Sequence, residues 1–234
     1  MSASLAVSGD AESLALAGML GVDGGEVLVL LGDAAAPTNA DAIRWHDGSP
    51  GAGQSERQIA PEGDGLWRRA PWPAADALFE LPLPGGPQPV LVAGGRDSWR
   101  AQLSDAIRSR GITVSDEPRL TATALERAAS VLLLPSAGVA GEALPLEAMA
   151  VLAARRLLIV PRCRVAFGLQ PGIDHLQFAL STQAADLVES QRRQPQAYTA
   201  MRAWGTFAAR RHRASDVYRA LALDLELEGF ARKS

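Results

Sequence analysis

The feature that most constrains the fold is a regular alternation, from Gln88 onward, of short apolar runs with segments of helical periodicity. The apolar runs are rich in Val, Leu and Ile, and most of them end at glycine, proline or serine, as buried strands do. Strands that alternate with helices build a parallel sheet with helices on its faces. The sequence therefore predicts an α/β fold, with a Rossmann-like parallel sheet flanked by helices and a helical C-terminus.

The predicted strands of this sheet cover residues 89–93, 112–114, 131–134, 157–160 and 175–178. The predicted helices cover residues 99–107, 121–129, 144–156, 182–193, 196–212 and 215–228. Thr121 or Thr123 is suited to cap the second of these helices, because a threonine hydroxyl can accept a hydrogen bond from an exposed amide of the first turn.

The first 84 residues predict a small, irregular α/β lobe. Apolar runs indicate a strand near residues 5–7, a helix at 11–20, a strand at 26–31 and at most one further strand at 42–46. Clusters of Gly, Pro, Asp and Ser make 48–64 an irregular linker. The run 81–87 is typical of a boundary, since proline and glycine suit neither helix nor strand interiors. We therefore predict two domains, 1–84 and 85–234.

Composition narrows the classes of function. The formal net charge of −3 gives none of the basic character that nucleic-acid binding requires, so no nucleic-acid partner is expected. The single cysteine, Cys163, excludes a disulfide framework and a cysteine-rich zinc site. No run reaches the ~18–20 apolar residues of a transmembrane segment, and Asp10 and Glu12 stand where a secretory signal would be positively charged. We expect a cytoplasmic protein.

The first candidate ligand loop is Gly94-Gly95-Arg96, directly after a predicted strand and before a predicted helix. Ligands of open parallel sheets bind beyond the carboxyl ends of the strands, where helix N-termini attract anions. Glycine lets a phosphate approach the backbone, and Arg96 adds a positive charge. The alternative is that the two glycines serve the turn for steric reasons alone. The loop lacks the full G-x-G-x-x-G pattern of dinucleotide binding, so support for a Rossmann dehydrogenase is lost.

The second candidate loop begins with Pro135-Ser136 and leads through small residues into Leu144-Pro145-Leu146-Glu147-Ala148-Met149-Ala150. This string resembles the signature of group 1 GT-B glycosyltransferases. Further along, the turn Pro171-Gly172-Ile173-Asp174 is similar to the subgroup related to the spore-maturation protein CgeB. The resemblance covers roughly residues 89–225, and it implies the nucleotide-sugar-binding, C-terminal half of such an enzyme behind a shortened N-terminal lobe.

In that family, the loop and the helix N-terminus hold the diphosphate of the donor, and a glutamate of the helix binds the ribose hydroxyls. The resemblance implies that Glu147 binds the ribose. Arg162 is expected to stabilise the negative charge that develops on the leaving diphosphate. Helix-end amides favour phosphate, and a carboxylate can accept two hydroxyl protons, so the division is physically reasonable. The residues expected at the donor nucleotide are Gly94, Gly95, Arg96, Ser136, Glu142, Glu147 and Arg162.

Two registers of the resemblance stay open. In the first, Glu147 fits the second of two glutamates that retaining members carry, and Val139 stands at the first. In the CgeB-like register, Ala150 stands where the helical glutamate belongs, and Glu147 replaces an arginine. Such enzymes bind the acceptor in an N-terminal Rossmann domain, for which the first 84 residues are too short. A homo-oligomer or a partner subunit is therefore a possible source of the missing lobe.

Histidine is the usual base near neutral pH, which makes His46 and His175 the candidate catalytic residues. A surface turn is the alternative for His46, and a structural role is the alternative for His175. No metal site emerges, and retaining GT-B enzymes need none, so no cofactor is expected beyond the nucleotide-sugar donor. The sequence predicts transfer of a sugar to an unidentified hydroxyl acceptor. The alternatives are a non-catalytic GT-B-derived binding or assembly module and another Rossmann-like enzyme.

Overall fold

The computed structural model describes residues 5–8, 27–31, 42–46, 56–60, 66–69, 73–85, 88–135, 144–145, 147–163, 168–217, 219–220 and 223. The chain divides into two compact units. The first comprises Met1–Asp76 together with Arg211–Ser234, and the second comprises Ala77–Arg210. The division into domains 1–84 and 85–234 stays a prediction.

The first unit contains a five-stranded mixed sheet in the order β1-β2-β3-β4-β5. Strands β1 to β3 run parallel to one another, whereas β4 pairs antiparallel with both β3 and β5. The first three strands confirm the runs predicted near residues 5, 27 and 42, and the predicted helix at 11–20 lies outside the described residues. The strands are β1 (Leu5–Ser8), β2 (Val27–Leu31), β3 (Ala42–His46), β4 (Glu56–Ala60) and β5 (Leu66–Arg69).

The prediction of an irregular linker over 48–64 is wrong, because β4 lies within it. The prediction of at most one further strand, at 42–46, is also wrong, because β4 and β5 follow β3. Residues Glu56, Arg57 and Gln58 open this strand, so its sequence shows no apolar run. The strand forms by pairing with β3, where Ile59 lies opposite Ile43. Pairing of this kind depends on the neighbouring strand rather than on local propensity, which is why the sequence pattern missed it.

The second unit contains a five-stranded sheet in the order β10-β9-β8-β6-β7, in which every pair is parallel. This arrangement confirms the predicted Rossmann-like parallel sheet, and each strand lies within a few residues of its predicted position. The strands are β6 (Val90–Gly94), β7 (Val114–Glu117), β8 (Ser130–Leu134), β9 (Leu157–Pro161) and β10 (Leu176–Phe178).

Helices flank this sheet as predicted. They are α1 (Asp97–Arg108), α2 (Ala122–Glu126), α3 (Ala148–Ala153), α4 (Ser181–Arg193) and α5 (Thr199–Ala209). Short 3₁₀ turns are Asp76–Glu80, Pro195–Tyr198 and Arg210–His212. Residues 214–217, 219–220 and 223 are helical, which confirms the helical C-terminal region. No helix of the described part of the chain is long and apolar enough to cross a membrane.

The core of the second unit lies between the sheet and helices α1 and α4. Alternate strand residues such as Val92, Leu132 and Ile159 pack with Leu103 of α1 and Val188 of α4, and each of these five is inaccessible to solvent. Complete burial of such a side chain contributes about 2 kcal/mol. The apolar runs that predicted the strands therefore also hold the sheet against its helices.

Two helix starts test the sequence reasoning. Thr121 caps α2 as predicted, because its Oγ1 accepts a hydrogen bond of 3.1 Å from the amide of Ala124. Helix α3 is shorter than the predicted 144–156 and begins only at Ala148, whose amide donates to the carbonyl of Pro145 at 3.0 Å. The proline is thus part of the turn that leads into the helix, which fits its lack of an amide hydrogen.

Candidate functional site

The order of the parallel sheet defines a topological switch point, the kind of position at which open α/β sheets bind ligands. The chain begins the sheet at β6, adds β7 on one side, and then places β8, β9 and β10 on the other. Open α/β sheets bind ligands beyond the carboxyl ends of the strands at such a reversal. Here that point lies between β6 and β8, where Gly94 is paired with Leu134. We call the residues Gly94, Gly95, Arg96, Leu134 and Pro135 the switch-point edge.

Backbone geometry and close packing both require glycine at the two glycine positions of the switch-point edge. Gly94 and Gly95 adopt positive φ angles of 77° and 66°, which favour glycine. A Cβ atom on Gly94 would lie 2.5 Å from the carbonyl oxygen of Leu134, and one on Gly95 would lie 2.6 Å from the Leu134 Cβ. The close approach of β6 to β8 therefore requires both glycines. The expected approach of a phosphate to this turn stays a prediction.

Arg100, on the first turns of α1, fixes the geometry of this glycine turn. Its Nη1 donates to the carbonyl oxygens of Gly94 and Gly95 at 3.2 and 3.3 Å. Because a trans peptide points its N–H and C=O groups in opposite directions, the amides of Gly95 and Arg96 point away from the guanidinium.

Two carboxylates hold Arg100 in this position. Its Nε donates to Asp116 Oδ1 and its Nη2 to Asp97 Oδ1, both at 2.5 Å, and Ser104 donates to Asp116 Oδ2 at 2.8 Å. Burial lowers the pKa of Arg100, but the hydrogen bonds that it donates to Asp97 and Asp116, together with their negative charges, outweigh this effect and leave the pKa above its ordinary value. The guanidinium is therefore a fixed positive charge beneath the turn.

Sequence reasoning missed Arg100. The only local signal is the spacing of Asp97 and Arg100, which are three positions apart on one helix face. The other partners come from β7 and from the end of β6, and only the folded sheet brings them to α1.

The charged residues expected at the donor nucleotide follow the carboxyl ends of three neighbouring strands. Arg96 is exposed after β6 and precedes α1, and Arg162 is exposed directly after β9. Glu147 follows β8 along the chain and is half-buried at the start of α3, where its carbonyl accepts from the amide of Val151 at 3.1 Å. Ser136 and Glu142 lie outside the described residues, and their roles stay predictions.

The two candidate bases lie in different units. His46 is the last residue of β3, where it pairs with Glu56 of β4. His175 immediately precedes β10 in the second unit and is inaccessible to solvent. Its Nδ1 lies 2.6 Å from Asp174 Oδ1, and its Nε2 lies 3.4 Å from Gln177 Nε2. Both ring nitrogens of His175 therefore face protein groups, and a catalytic role for either histidine stays a prediction.

Asp174 and Gln177 extend this buried cluster. Asp174 Oδ2 accepts from the amide of Gln170 at 2.8 Å, which closes the turn before β10. Gln177 Nε2 contacts both the carbonyl oxygen and the Sγ of Cys163, at 3.4 and 3.6 Å. Burial raises the pKa of the Cys163 thiol to about 11, so this thiol is protonated at neutral pH and is a poor nucleophile. The cluster organises the end of β9 against β10.

Among the described residues, no group of three or more metal-ligand side chains gathers in one place. No family model matches the chain, and no curated protein is similar enough to count as a match.

Proposed function

We propose that the second unit binds a nucleotide sugar at the switch-point edge and that the protein is a GT-B-type glycosyltransferase acting on a hydroxyl acceptor. The observation that carries the proposal is the topological switch point between β6 and β8. Two segments follow these two adjacent strands: the glycine loop Gly94-Gly95-Arg96, and the run around Glu147 that resembles the donor-binding motif.

The arrangement suits the parts of such a donor. The amides of the Gly94-Gly95 turn, directed by Arg100, and the exposed guanidinium of Arg96 suit the diphosphate. The carboxylate of Glu147 suits two ribose hydroxyls, because it can accept both of their protons. Arg162, one strand further along the sheet, suits the negative charge that develops as the diphosphate leaves.

The proposal assigns no catalytic base and needs no metal. The acceptor in this reading is an alcohol, and the bond broken joins the anomeric carbon of the sugar to the diphosphate oxygen. The residues named above bind and orient the donor, and a positioned donor accounts for much of the rate of such a transfer.

A non-catalytic binding or assembly module is the second candidate. The observation that favours it is the burial of His175, whose ring nitrogens both face protein groups rather than solvent. The valine at position 139, where the resemblance expects an acid, points the same way.

The test is the thermal stability of the full chain in the presence of uridine and guanosine diphosphates and their sugar esters. A ligand that binds only the folded state raises the melting temperature by mass action. We expect one nucleotide to raise it, and we expect Glu147→Ala and Arg96→Gln to lose most of that rise. Turnover is then measured as release of the nucleoside diphosphate from its sugar ester.

Two matched variants control for the loss of charge alone. Arg108→Gln removes an exposed arginine at the opposite end of α1 from Arg96, and Glu126→Ala removes an exposed glutamate at the end of α2. Both should keep the full response to the nucleotide. Absence of any response in the unmodified chain would contradict the nucleotide-sugar proposal. Binding without turnover, together with a stable partner complex, would favour the binding module.

A further inference from the structure

Three arginines gather at the amino edge of the parallel sheet, opposite the switch-point edge. Arg155 and Arg156 lie in the turn between α3 and β9. Arg202 lies on α5, where Thr206, one turn further on, donates to the carbonyl of Leu152 at 3.1 Å. This contact brings α5 to the C-terminal end of α3. We call Arg155, Arg156 and Arg202 the arginine cluster.

The side chains of Arg155 and Arg156 donate their hydrogen bonds to neutral backbone carbonyl groups. Arg156 donates from Nε to Leu125 O at 2.8 Å and from Nη2 to Pro82 O at 2.9 Å, and Arg155 donates from Nη2 to Leu81 O. Within the part of the chain that the structure describes, no carboxylate forms an ion pair with any of the three guanidinium groups.

Each arginine of the cluster also keeps a buried nitrogen without a hydrogen-bond partner in the described structure. These atoms are Arg155 Nε, Arg156 Nη1 and Arg202 Nε. Buried guanidinium groups are normally paired, because an unsatisfied donor or a lone buried charge is costly. Arg156 is the extreme case, since only 1% of its surface is exposed.

Two effects disfavour the arginine cluster. Burial, followed by the positive charges of Arg155 and Arg202, lowers the pKa of Arg156 to about 10, although the negative charge of Glu126 raises it in part. The backbone of Arg155 has a φ angle of 58°, in the left-handed region that favours glycine at the end of a helix. An arginine in that conformation, beside two other cations, is unfavourable unless something compensates for it.

We propose that the arginine cluster binds a phosphate dianion, either inorganic phosphate or the phosphate group of a small soluble ester. Guanidinium groups match tetrahedral oxyanions through paired N–H donors, and two negative charges would offset most of the three positive ones. Arg155 and Arg202 are half-buried and keep part of their surface in solvent, whereas Arg156 is almost completely buried. The cluster lies at the amino ends of the strands, so this site is separate from the proposed donor site.

The test compares the melting temperature of the full chain in potassium phosphate and in potassium chloride at equal ionic strength. We expect phosphate to raise it by about 3 °C at ten times the dissociation constant. Arg202→Gln should abolish this rise. In chloride, the same variant should melt at or above the temperature of the unmodified chain, because it removes a cation without a counter-charge. A merely structural role for Arg202 would lower the melting temperature in both salts.

Three further variants complete the test. Arg155→Gly suits the left-handed backbone, so it should fold and should also lose the phosphate response. Arg108→Gln removes an exposed arginine outside both proposed sites and should keep the full response. Arg96→Gln tests whether phosphate binds at the switch-point edge instead. A titration with glycerol phosphate, in parallel with inorganic phosphate, distinguishes an ester from the free ion. The proposal is overturned if phosphate gives no rise, or if the rise survives in Arg202→Gln and Arg155→Gly, or if Arg96→Gln alone abolishes it.

Discussion

Arg100 and Asp116 form an ion pair in which Nε donates to Oδ1 at 2.5 Å and joins α1 to β7. The same guanidinium reaches the carbonyls of Gly94 and Gly95, so one side chain connects the helix, the edge strand and the turn at the end of β6. The shape of the switch-point edge therefore depends on a residue that lies beneath it.

Replacement of Arg100 by glutamine should lower the free energy of unfolding by about 2 kcal/mol, because the partners of a nearly buried cation lose their donors. Urea-induced unfolding measures the change. Asp97→Asn is the matched control: the Asp97 side chain is 92% exposed, so this substitution should leave stability within error. Equal losses for both variants would show that only the local Asp97 pair matters.

Gly94→Ala should destabilise the protein more than Gly111→Ala. Both glycines have a positive φ angle, 77° and 70°, so both substitutions carry the cost of about 1 kcal/mol that a left-handed alanine adds. Only Gly94 adds a clash, since its Cβ would lie 2.5 Å from the Leu134 carbonyl, whereas nothing lies within 4 Å of one on Gly111. The difference between their melting temperatures isolates the close approach of β6 to β8, and equal values would refute it.

Cys163 should be alkylated slowly in the folded protein. Burial raises its pKa from 9.0 to about 11, so at pH 8 the folded chain holds about 100-fold less thiolate than the unfolded chain. The raised pKa also means that the thiol's contribution to stability is complete below pH 9 and is lost between pH 9 and 11. Rates of iodoacetamide labelling, measured from pH 7 to 10 in buffer and in urea, check this. A plateau near pH 9 in the folded protein would contradict it.

Asp174→Ala should cost about 2 kcal/mol, because it leaves His175 Nδ1 and the amide of Gln170 without their acceptor in a buried turn. Asp105→Ala removes a carboxylate whose ion pair with Arg108 is largely exposed, and it should have little effect. Thermal unfolding of both variants provides the comparison. A loss for Asp174→Ala no greater than that for Asp105→Ala would show that the cluster before β10 contributes little.

The local sequence pattern was sufficient to predict the strands of the parallel sheet, but it did not predict all the strands of the first unit. The strands β6, β8 and β9 consist almost entirely of apolar residues, nearly all of them buried, so each carries its own signal in sequence. Strand β4 opens with polar residues and exists because β3 lies beside it, which no local window reveals.

The candidate site likewise contains residues that the sequence revealed and a residue that it did not. Gly94 and Gly95 were recognisable because a turn between a strand and a helix commonly needs glycine, and the structure adds the contact with Leu134 that makes them necessary. Arg100 was not recognisable, because Asp116 and the two glycine carbonyls reach it only after β6 and β7 have paired.

By itself, the sequence determined the alternation of strands and helices, a threonine cap at Thr121 or Thr123 and the glycine turn, since each depends on residues close together along the chain. Only the tertiary structure decided the strand order that creates the switch point between β6 and β8. It also decided the ion pair beneath the glycine turn and the gathering of Arg155, Arg156 and Arg202 at the opposite edge. These features join residues that are distant in sequence, and their energies depend on burial and on charge, which arise only when the sheet and its helices pack together.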